Sequence, residues 1–251
     1  AGSPAGVFTN NGTLIFSSSA YIAGSGAFVH GAGATLFINS TAGISSGIAA
    51  TGHIRVTGNR NYNPGGNYNY CGSADQQMGD GFPDLLTGNL IIDNPGTVTI
   101  PAAARTITTG VLQLLRGTFS TNNGGNRLSM GNSANAINAT ILRYEGGITG
   151  ALQGSNWYAV NYYGSSKATG AELSGAGFQR MVLQMQQGQS LSLASNLNIP
   201  GGLVLTSGIV QTGIFTLNVI GTLTGGSAGS YVSGKIQRTI SGGAGTFAFP
   251  V

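Results

Sequence analysis

Charged residues are the scarcest feature of this 251-residue chain and occupy 6% of positions, against roughly 25% in an ordinary soluble domain. Disorder normally combines low hydrophobicity with high net charge. Neither applies here, since 41% of the residues are hydrophobic and the net charge is +4. The first charged residue is Arg55. With so few charges, the polar groups must be paired in hydrogen-bonded ladders, which indicates β-sheet.

Cysteine pairs, long apolar runs and clustered cations are also missing, and each absence excludes a class of protein. Cys71 is the single cysteine, so no intrachain disulfide can form. No apolar run reaches the length of about 18 residues that a membrane span needs, so we expect no membrane insertion. The cations are scattered and no basic stripe is interleaved with aromatics, so we expect no nucleic-acid partner. Prolines and glycines show no Gly-X-Y period, which excludes collagen.

Glycine is abundant, with 44 residues, and its mixture with β-branched and aromatic residues is typical of short strands separated by tight turns. Residues 12–16 recur at 34–38, a shift of 22, and residues 7–8 recur at 28–29, a shift of 21. We expect residues 52–56 to continue this series. A period of about 20 to 22 residues is typical of one coil of a β-solenoid. The chain has room for roughly eleven coils, a rod ~50 Å long.

A longer repeat relates residues 110–121 to 201–212, at a shift of about 91 to 93. Two regions interrupt the pattern. We interpret residues 59–77 as a protruding loop or a distorted coil, and residues 156–163 as an irregular aromatic segment. The most helix-like stretch, residues 178–187, lies between glycine clusters and is predicted to be a strand.

These patterns predict an all-β fold, a β-solenoid similar to a right-handed parallel β-helix, with a β-sandwich-like portion at one end as an open alternative. We expect one unit of solenoid coils at residues 1–60 and a repetitive β module at 61–251. The module has two related halves, at about 68–150 and 151–251. The chain begins at Ala1 without a signal peptide, so we expect a processed protein or a piece of a longer one.

Four of the six acidic residues fall within a short stretch, as Asp75, Asp80, Asp84 and Asp93. Clustered carboxylates are what a Ca²⁺ site or an inverting carboxylate pair requires. Loop corners with Asx-turns explain the same residues, and we favour that interpretation. We therefore predict no catalytic residues, no enzyme and no cofactor, with calcium as the alternative.

The two histidines and the cysteine also admit a structural explanation. His30 and His53 lie 23 residues apart, about one coil, so we expect a stacked surface pair rather than a zinc site. Cys71 has no evident His partner. A buried or incidental thiol is favoured over an intermolecular bridge.

Aromatic residues supply the remaining candidate sites. Trp157, Tyr158, Tyr162 and Tyr163 are a candidate sugar-stacking platform, since aromatic faces suit pyranose rings, although packing within an irregular coil explains them too. The chain ends in an alternating apolar tail. Its residues Phe247, Phe249, Pro250 and Val251 are candidates for self-assembly by pairing with a neighbouring copy.

Several motifs together resemble repetitive modules of giant secreted proteins of Bacteroidetes. The motifs are Y-x-Y-x-G at 68–72, DQQ at 75–77, GFP at 81–83, NLIIDN at 89–94, the G-V/L-L-x-L-x-x-G-x-x-x-T core at 110–121, TGAEL at 169–173, YVSGKIQR at 231–238 and FPV at 249–251. Residues 1–60 look like generic haemagglutinin-like solenoid. The resemblance implies an adhesin-like substrate of the type IX secretion system, located outside the cell or on the bacterial cell surface.

The expected function is structural. We expect a cell-surface or extracellular filament or adhesin module that spaces a surface or associates with itself, as a homopolymer or tandem array. Low charge suits such association because like-charge repulsion is weak. A carbohydrate-binding adhesin module that uses the aromatic patches to hold surface glycans is the alternative, and a polysaccharide-active enzyme is a second rival.

Overall fold

A computed structural model describes residues 6–17, 19–48 and 51–239. These residues form a parallel β-solenoid of about 10 turns, which confirms the predicted fold class. Every strand pair among them is parallel, so the described residues contain no β-sandwich-like portion. No helix in this part of the chain is long and apolar enough to cross a membrane.

Most strands are short, as expected where glycine and asparagine turn the chain every few residues. In chain order they are β1 Val7–Asn10, β2 Thr13–Leu14, β3 Ile22–Gly24, β4 Ala27–His30, β5 Thr35–Ile38, β6 Ile54–Val56, β7 Arg60–Tyr62, β8 Asn67–Tyr70, β9 Gln76–Gln77, β10 Leu85–Leu86, β11 Leu90–Thr99, β12 Arg105–Ile107, β13 Val111–Ser120, β14 Leu128–Met130, β15 Ala139–Arg143, β16 Gly147–Thr149, β17 Tyr158–Gly164, β18 Lys167–Ala168, β19 Phe178–Met185, β20 Ser190–Ser192, β21 Leu197–Ile199, β22 Gly202–Val219, β23 Thr222–Gly225 and β24 Ser230–Arg238. A 3₁₀ helix covers Ala171–Leu173. The predicted strand at 178–187 is confirmed by β19.

One sheet runs the length of the rod and sets the stacking of the coils. Its path is β2-β5-β8-β11-β13-β15-β17-β19-β22, with β23 beyond β22, and each step moves up one coil. Shorter rows, β1-β4-β7, β3-β6 and β10-β12-β14, occupy other sides. Side chains alternate inward and outward along each strand. The inward ones form one hydrophobic core that extends from Phe16 to Val232, and the pairs β4–β7 and β5–β8 carry it across the predicted boundary at residue 60.

Coil length varies more than the predicted period. Thr13 pairs with Thr35 at the expected shift of 22, but Thr35 pairs with Asn67, 32 residues on. The extra residues form an excursion between β5 and β6. As a result, β6 stacks on β3 and not on β5. The predicted equivalence of residues 52–56 with 34–38 was therefore wrong. Phe8 pairs with Phe28 at a shift of 20, one residue from the predicted alignment.

The long repeat is confirmed and has a simple origin. Val111 pairs with Thr140, Thr140 with Ala159, Ala159 with Arg180 and Arg180 with Gly202. Four coils of unequal length therefore add up to 91 residues. β13 and β22 occupy the same position in the coil, and their inward side chains belong to the same columns of the core. The equivalent buried pairs are Leu112 with Leu203, Leu114 with Leu205 and Phe119 with Val210.

Residues 59–77 do not form a protruding loop. They contain β7, β8 and β9, and their tyrosines Tyr62, Tyr68 and Tyr70 are all buried in the core. The Tyr68 hydroxyl donates to the Asn63 carbonyl and the Tyr70 hydroxyl donates to the Met78 carbonyl, both at 2.8 Å. Tyrosine is compatible with an interior position when its hydroxyl finds a backbone acceptor. The composition of the segment alone did not reveal that such acceptors are present.

The histidines are not a stacked surface pair. His30 points into the core and lies between Asn10 and Tyr62 in register. Asn10 Nδ2 donates to His30 Nδ1 at 3.1 Å, and the His30 ring meets Tyr68 edge-on at 5.0 Å. His53 stacks on Phe16 with ring centroids 4.6 Å apart. Because of the excursion in the second coil, the two residues belong to different rows of stacked strands, His30 to β4–β7 and His53 to the start of β3–β6.

Burial of His30 makes stability pH-dependent. Desolvation lowers the pKa of His30 below its ordinary value of 6.5, and a backbone hydrogen bond with Asn67 opposes this only in part. The unfolded chain therefore takes up a proton first as the pH falls, and acidification favours unfolding. We expect the wild-type melting temperature to drop between about pH 7 and pH 5, and the His30→Leu variant to lose most of that drop. An equal drop in both proteins would contradict the prediction.

Candidate functional site

The first coil exposes an unpaired sheet edge. It consists of β1, β2 and β3, and in the described residues each of these strands pairs on one side only, with β4, β5 and β6. The backbone groups on the other side have no strand partner within the described part of the chain. An unpaired edge is a template for strand addition unless charge, proline or a covering segment blocks it.

Apolar side chains accompany this edge. Of the eight large hydrophobic side chains that the described residues expose, four belong to the first coil, and they are Val7, Phe8, Ile15 and Tyr21. Phe8 stacks on Phe28 of the next coil with ring centroids 5.9 Å apart, so it continues the interior column but is open on its outer side. The first 54 residues carry no charge. The edge therefore combines exposed backbone with apolar surface and lacks charged residues of its own.

The last described coil has the matching geometry at the other end. β23 and β24 pair with β22 and with no further strand in the described part of the chain. Val232 is buried there, while Leu223 and Ile236 are partly buried against the core. The predicted assembly residues Phe247, Phe249, Pro250 and Val251 lie outside the described residues.

The four aspartates each have a separate partner. Asp75 accepts from the Thr97 amide at 2.7 Å, and Asp80 accepts from the Ser46 amide at 3.0 Å. Asp84 pairs with Arg105 at 2.6 Å, and Asp93 pairs with Arg116 at 2.5 Å. Within the described ranges no three residues among His, Cys, Asp and Glu stand close enough to hold a metal ion. The structure therefore does not bring the predicted carboxylates together, and each ties one loop to a neighbouring segment.

The predicted aromatic platform is divided between core and surface. Tyr158 and Tyr162 are 1% and 0% exposed, so they cannot stack on a sugar, and of the two interpretations packing applies to this pair. They point inward because β17 is a regular strand of the solenoid. Tyr163 faces outward and stacks on Tyr144 with centroids 4.8 Å apart. Trp157, half-buried, lines a groove on another part of the surface.

Tyr162 belongs to a buried polar cluster that was not predicted. Its hydroxyl donates to Glu172 Oε1 at 2.7 Å, and the same oxygen is ion-paired with Arg143. The Gly170 amide donates to Glu172 Oε1 at 2.8 Å. Burial, together with the Glu172 carboxylate, holds the pKa of Tyr162 well above its ordinary value. Arg143 and Glu172 are 29 residues apart, and no local pattern in the sequence relates them.

Cys71 is partly exposed and unpaired. Burial raises the pKa of its thiol above the ordinary value, with a further contribution from the Asp93 carboxylate. A thiol with a raised pKa is a poor nucleophile at neutral pH. Nothing around Cys71 therefore indicates a catalytic role.

Comparison with known proteins adds no relative from which a function can be carried over. No family model, curated protein or solved structure matches this chain. The function is accordingly inferred from the geometry of the ends, the separate partners of the acidic residues and the groove at Trp157.

Proposed function

We propose that the chain is a structural module of an extracellular or bacterial cell-surface assembly, and that it stacks end to end with copies of itself. The observation that carries the proposal is the first coil, which combines an unpaired strand edge with half of the large hydrophobic side chains that the described residues expose. A soluble monomer normally protects such an edge, and exposed apolar surface concentrated at one place is typical of an interface.

The partner we propose for the first coil is the last coil of a second copy. Both ends carry parallel strands of one continuous solenoid, so stacking at the usual strand spacing of about 4.8 Å continues the ladder and the apolar column across the junction. A head-to-tail contact of this kind generates an open filament. The low charge of the chain, 6%, keeps repulsion between copies weak.

The cellular location and the non-enzymatic role are part of the same proposal. The resemblance of residues 68–251 to repetitive modules of Bacteroidetes supports secretion by the type IX system and an adhesin-like parent protein. The separate partners of Asp75, Asp80, Asp84 and Asp93 support a role without hydrolysis, because acid and base catalysis needs carboxylates that converge on one substrate.

A charge placed on the first coil tests the assembly. Phe8 is 43% exposed at the open end of the interior column and stacks on Phe28, so Phe8→Lys keeps most of the monomer's core but buries an unpaired ammonium group in the proposed junction, which is costly. We expect the mass of the wild-type protein to rise with concentration in sedimentation experiments, and Phe8→Lys to weaken self-association by roughly tenfold or more.

The matched control is Leu85→Lys, which changes a residue that is 57% exposed in the middle of the rod. It adds the same charge and should associate like the wild type. A wild-type protein that stays monomeric at all concentrations, or equal weakening by both substitutions, would refute end-to-end stacking.

A further inference from the structure

A groove of about 470 Å³ crosses several coils on one side of the solenoid. Trp157 stands just before β17, Gln179 and Arg180 belong to β19, and Thr222 begins β23. The strand register relates these positions as successive coils. Trp157 and Thr222 are therefore separated by three coil spacings, ~14 Å along the rod. An elongated groove of this length suits a chain-like ligand better than a compact one.

Four polar side chains in the groove have no hydrogen-bond partner among the described residues, whereas the Thr222 hydroxyl donates to the Gly201 carbonyl. Arg180 is exposed, and its guanidinium makes no hydrogen bond or ion pair among the described residues. The other nine Lys and Arg side chains each contact a carboxylate, a backbone carbonyl or an aromatic ring. The side-chain amides of Gln179 and Asn135 and the indole N–H of Trp157 are likewise unpaired in this part of the chain.

The floor of the groove keeps these groups accessible. Gly201 lies between Arg180 and Thr222, and a Cβ at this position would come within 2.9 Å of the Gln179 carbonyl oxygen. The close packing of coils here therefore excludes a larger side chain that would fill the groove. The neighbouring Pro200 adds an apolar surface without a hydrogen-bond donor.

The chemistry of the side chains that line the groove identifies a class of ligand. An aromatic face packs against the C–H surface of a pyranose ring, and amide and indole groups hydrogen-bond to hydroxyls. A guanidinium binds a carboxylate in a planar, bidentate geometry. A single cation does not suit a nucleic acid, whose affinity depends on many phosphate contacts. We propose that this groove binds an anionic polysaccharide of the polyuronate type, with Trp157 as the stacking surface and Arg180 as the carboxylate-binding residue.

The chain provides its own probe for this site, because Trp157 is the only tryptophan. We expect polygalacturonate to cause a saturable change in tryptophan emission, and neutral dextran to cause none. Arg180→Gln should weaken polygalacturonate binding about tenfold, the usual effect of losing a hydrogen bond to a charged group. Arg180 is exposed, so this variant keeps its fold.

Lys235→Gln is the matched control, since it removes one positive charge from an exposed residue outside the groove. It should bind polygalacturonate like the wild type. Affinity electrophoresis of Trp157→Ala, with folding checked by circular dichroism, should show retardation by polygalacturonate reduced about tenfold. An unchanged emission spectrum, equal loss in both charge variants, or tighter binding of single-stranded DNA than of polygalacturonate would overturn the proposal.

Discussion

We expect Glu172→Ala to lower the free energy of unfolding by about 3 to 5 kcal/mol, which is the usual cost of removing one partner of a buried ion pair. Glu172 is fully buried, and its Oε1 accepts hydrogen bonds from Tyr162, Gly170 and Arg143. The substitution leaves the Arg143 guanidinium, itself 14% exposed, without its counter-charge. Denaturant titration followed by circular dichroism measures the loss.

Two further variants separate charge from packing in this cluster. Glu172→Gln keeps the Oε1 acceptor for Tyr162 and Gly170 but removes the charge, so it should be less destabilising than Glu172→Ala. The double variant Arg143→Met with Glu172→Leu should recover part of the lost stability, because replacing both ions by apolar groups of similar volume is often tolerated. A Glu172→Ala protein as stable as the wild type would contradict a structural role for the pair.

Gly117→Ala is the second change with a large expected effect, a loss of about 2 to 5 kcal/mol in the free energy of unfolding. Gly117 has φ +70°, and a Cβ there would lie 1.8 Å from the Asn94 carbonyl oxygen of the coil below. The left-handed conformation costs a residue with a side chain about 1 to 2 kcal/mol. Overpacking against a rigid backbone adds about 1 to 3 kcal/mol.

Gly188→Ala isolates the first of these two contributions. Gly188 has nearly the same backbone angle, φ +78°, but no atom lies within 4 Å of the position that a Cβ would take. We expect it to cost only the conformational term of about 1 to 2 kcal/mol. If both substitutions lowered the denaturation midpoint equally, close stacking of the coils at Gly117 would not be the reason for its glycine.

Sequence repeats located two sets of equivalent strands correctly. The shift of 22 located β2 against β5, and the longer repeat correctly related Leu112 to Leu203 and Leu114 to Leu205. The repeats misled where a coil contains an excursion. Residues 52–56 resembled the earlier segments at a slightly shorter interval, yet β6 pairs with β3, because an insertion in a turn changes the interval between strands without changing their stacking.

Candidate sites were the least predictable part. In the aromatic segment at 156–163, strand alternation buries Tyr158 and Tyr162 and leaves Trp157 at the groove. The acidic residues are close in sequence, which left a shared Ca²⁺ site as the alternative to separate loop corners. In the solenoid a separation of about 22 residues is one coil. Asp84 therefore contacts Arg105, and Asp93 contacts Arg116, so that each aspartate has its partner on a neighbouring coil.

By itself, the amino-acid sequence determined that this chain is a stack of β-strand coils, because low charge, abundant glycine and a repeated apolar core allow few other ways to pair the backbone and bury the side chains. Only the tertiary structure decided which side chains meet. Neighbours in a parallel solenoid come from different coils, and the lengths of the intervening turns determine their register. For that reason Arg143 contacts Glu172, and Trp157 shares a groove with Arg180. No local pattern in the sequence relates the members of either pair.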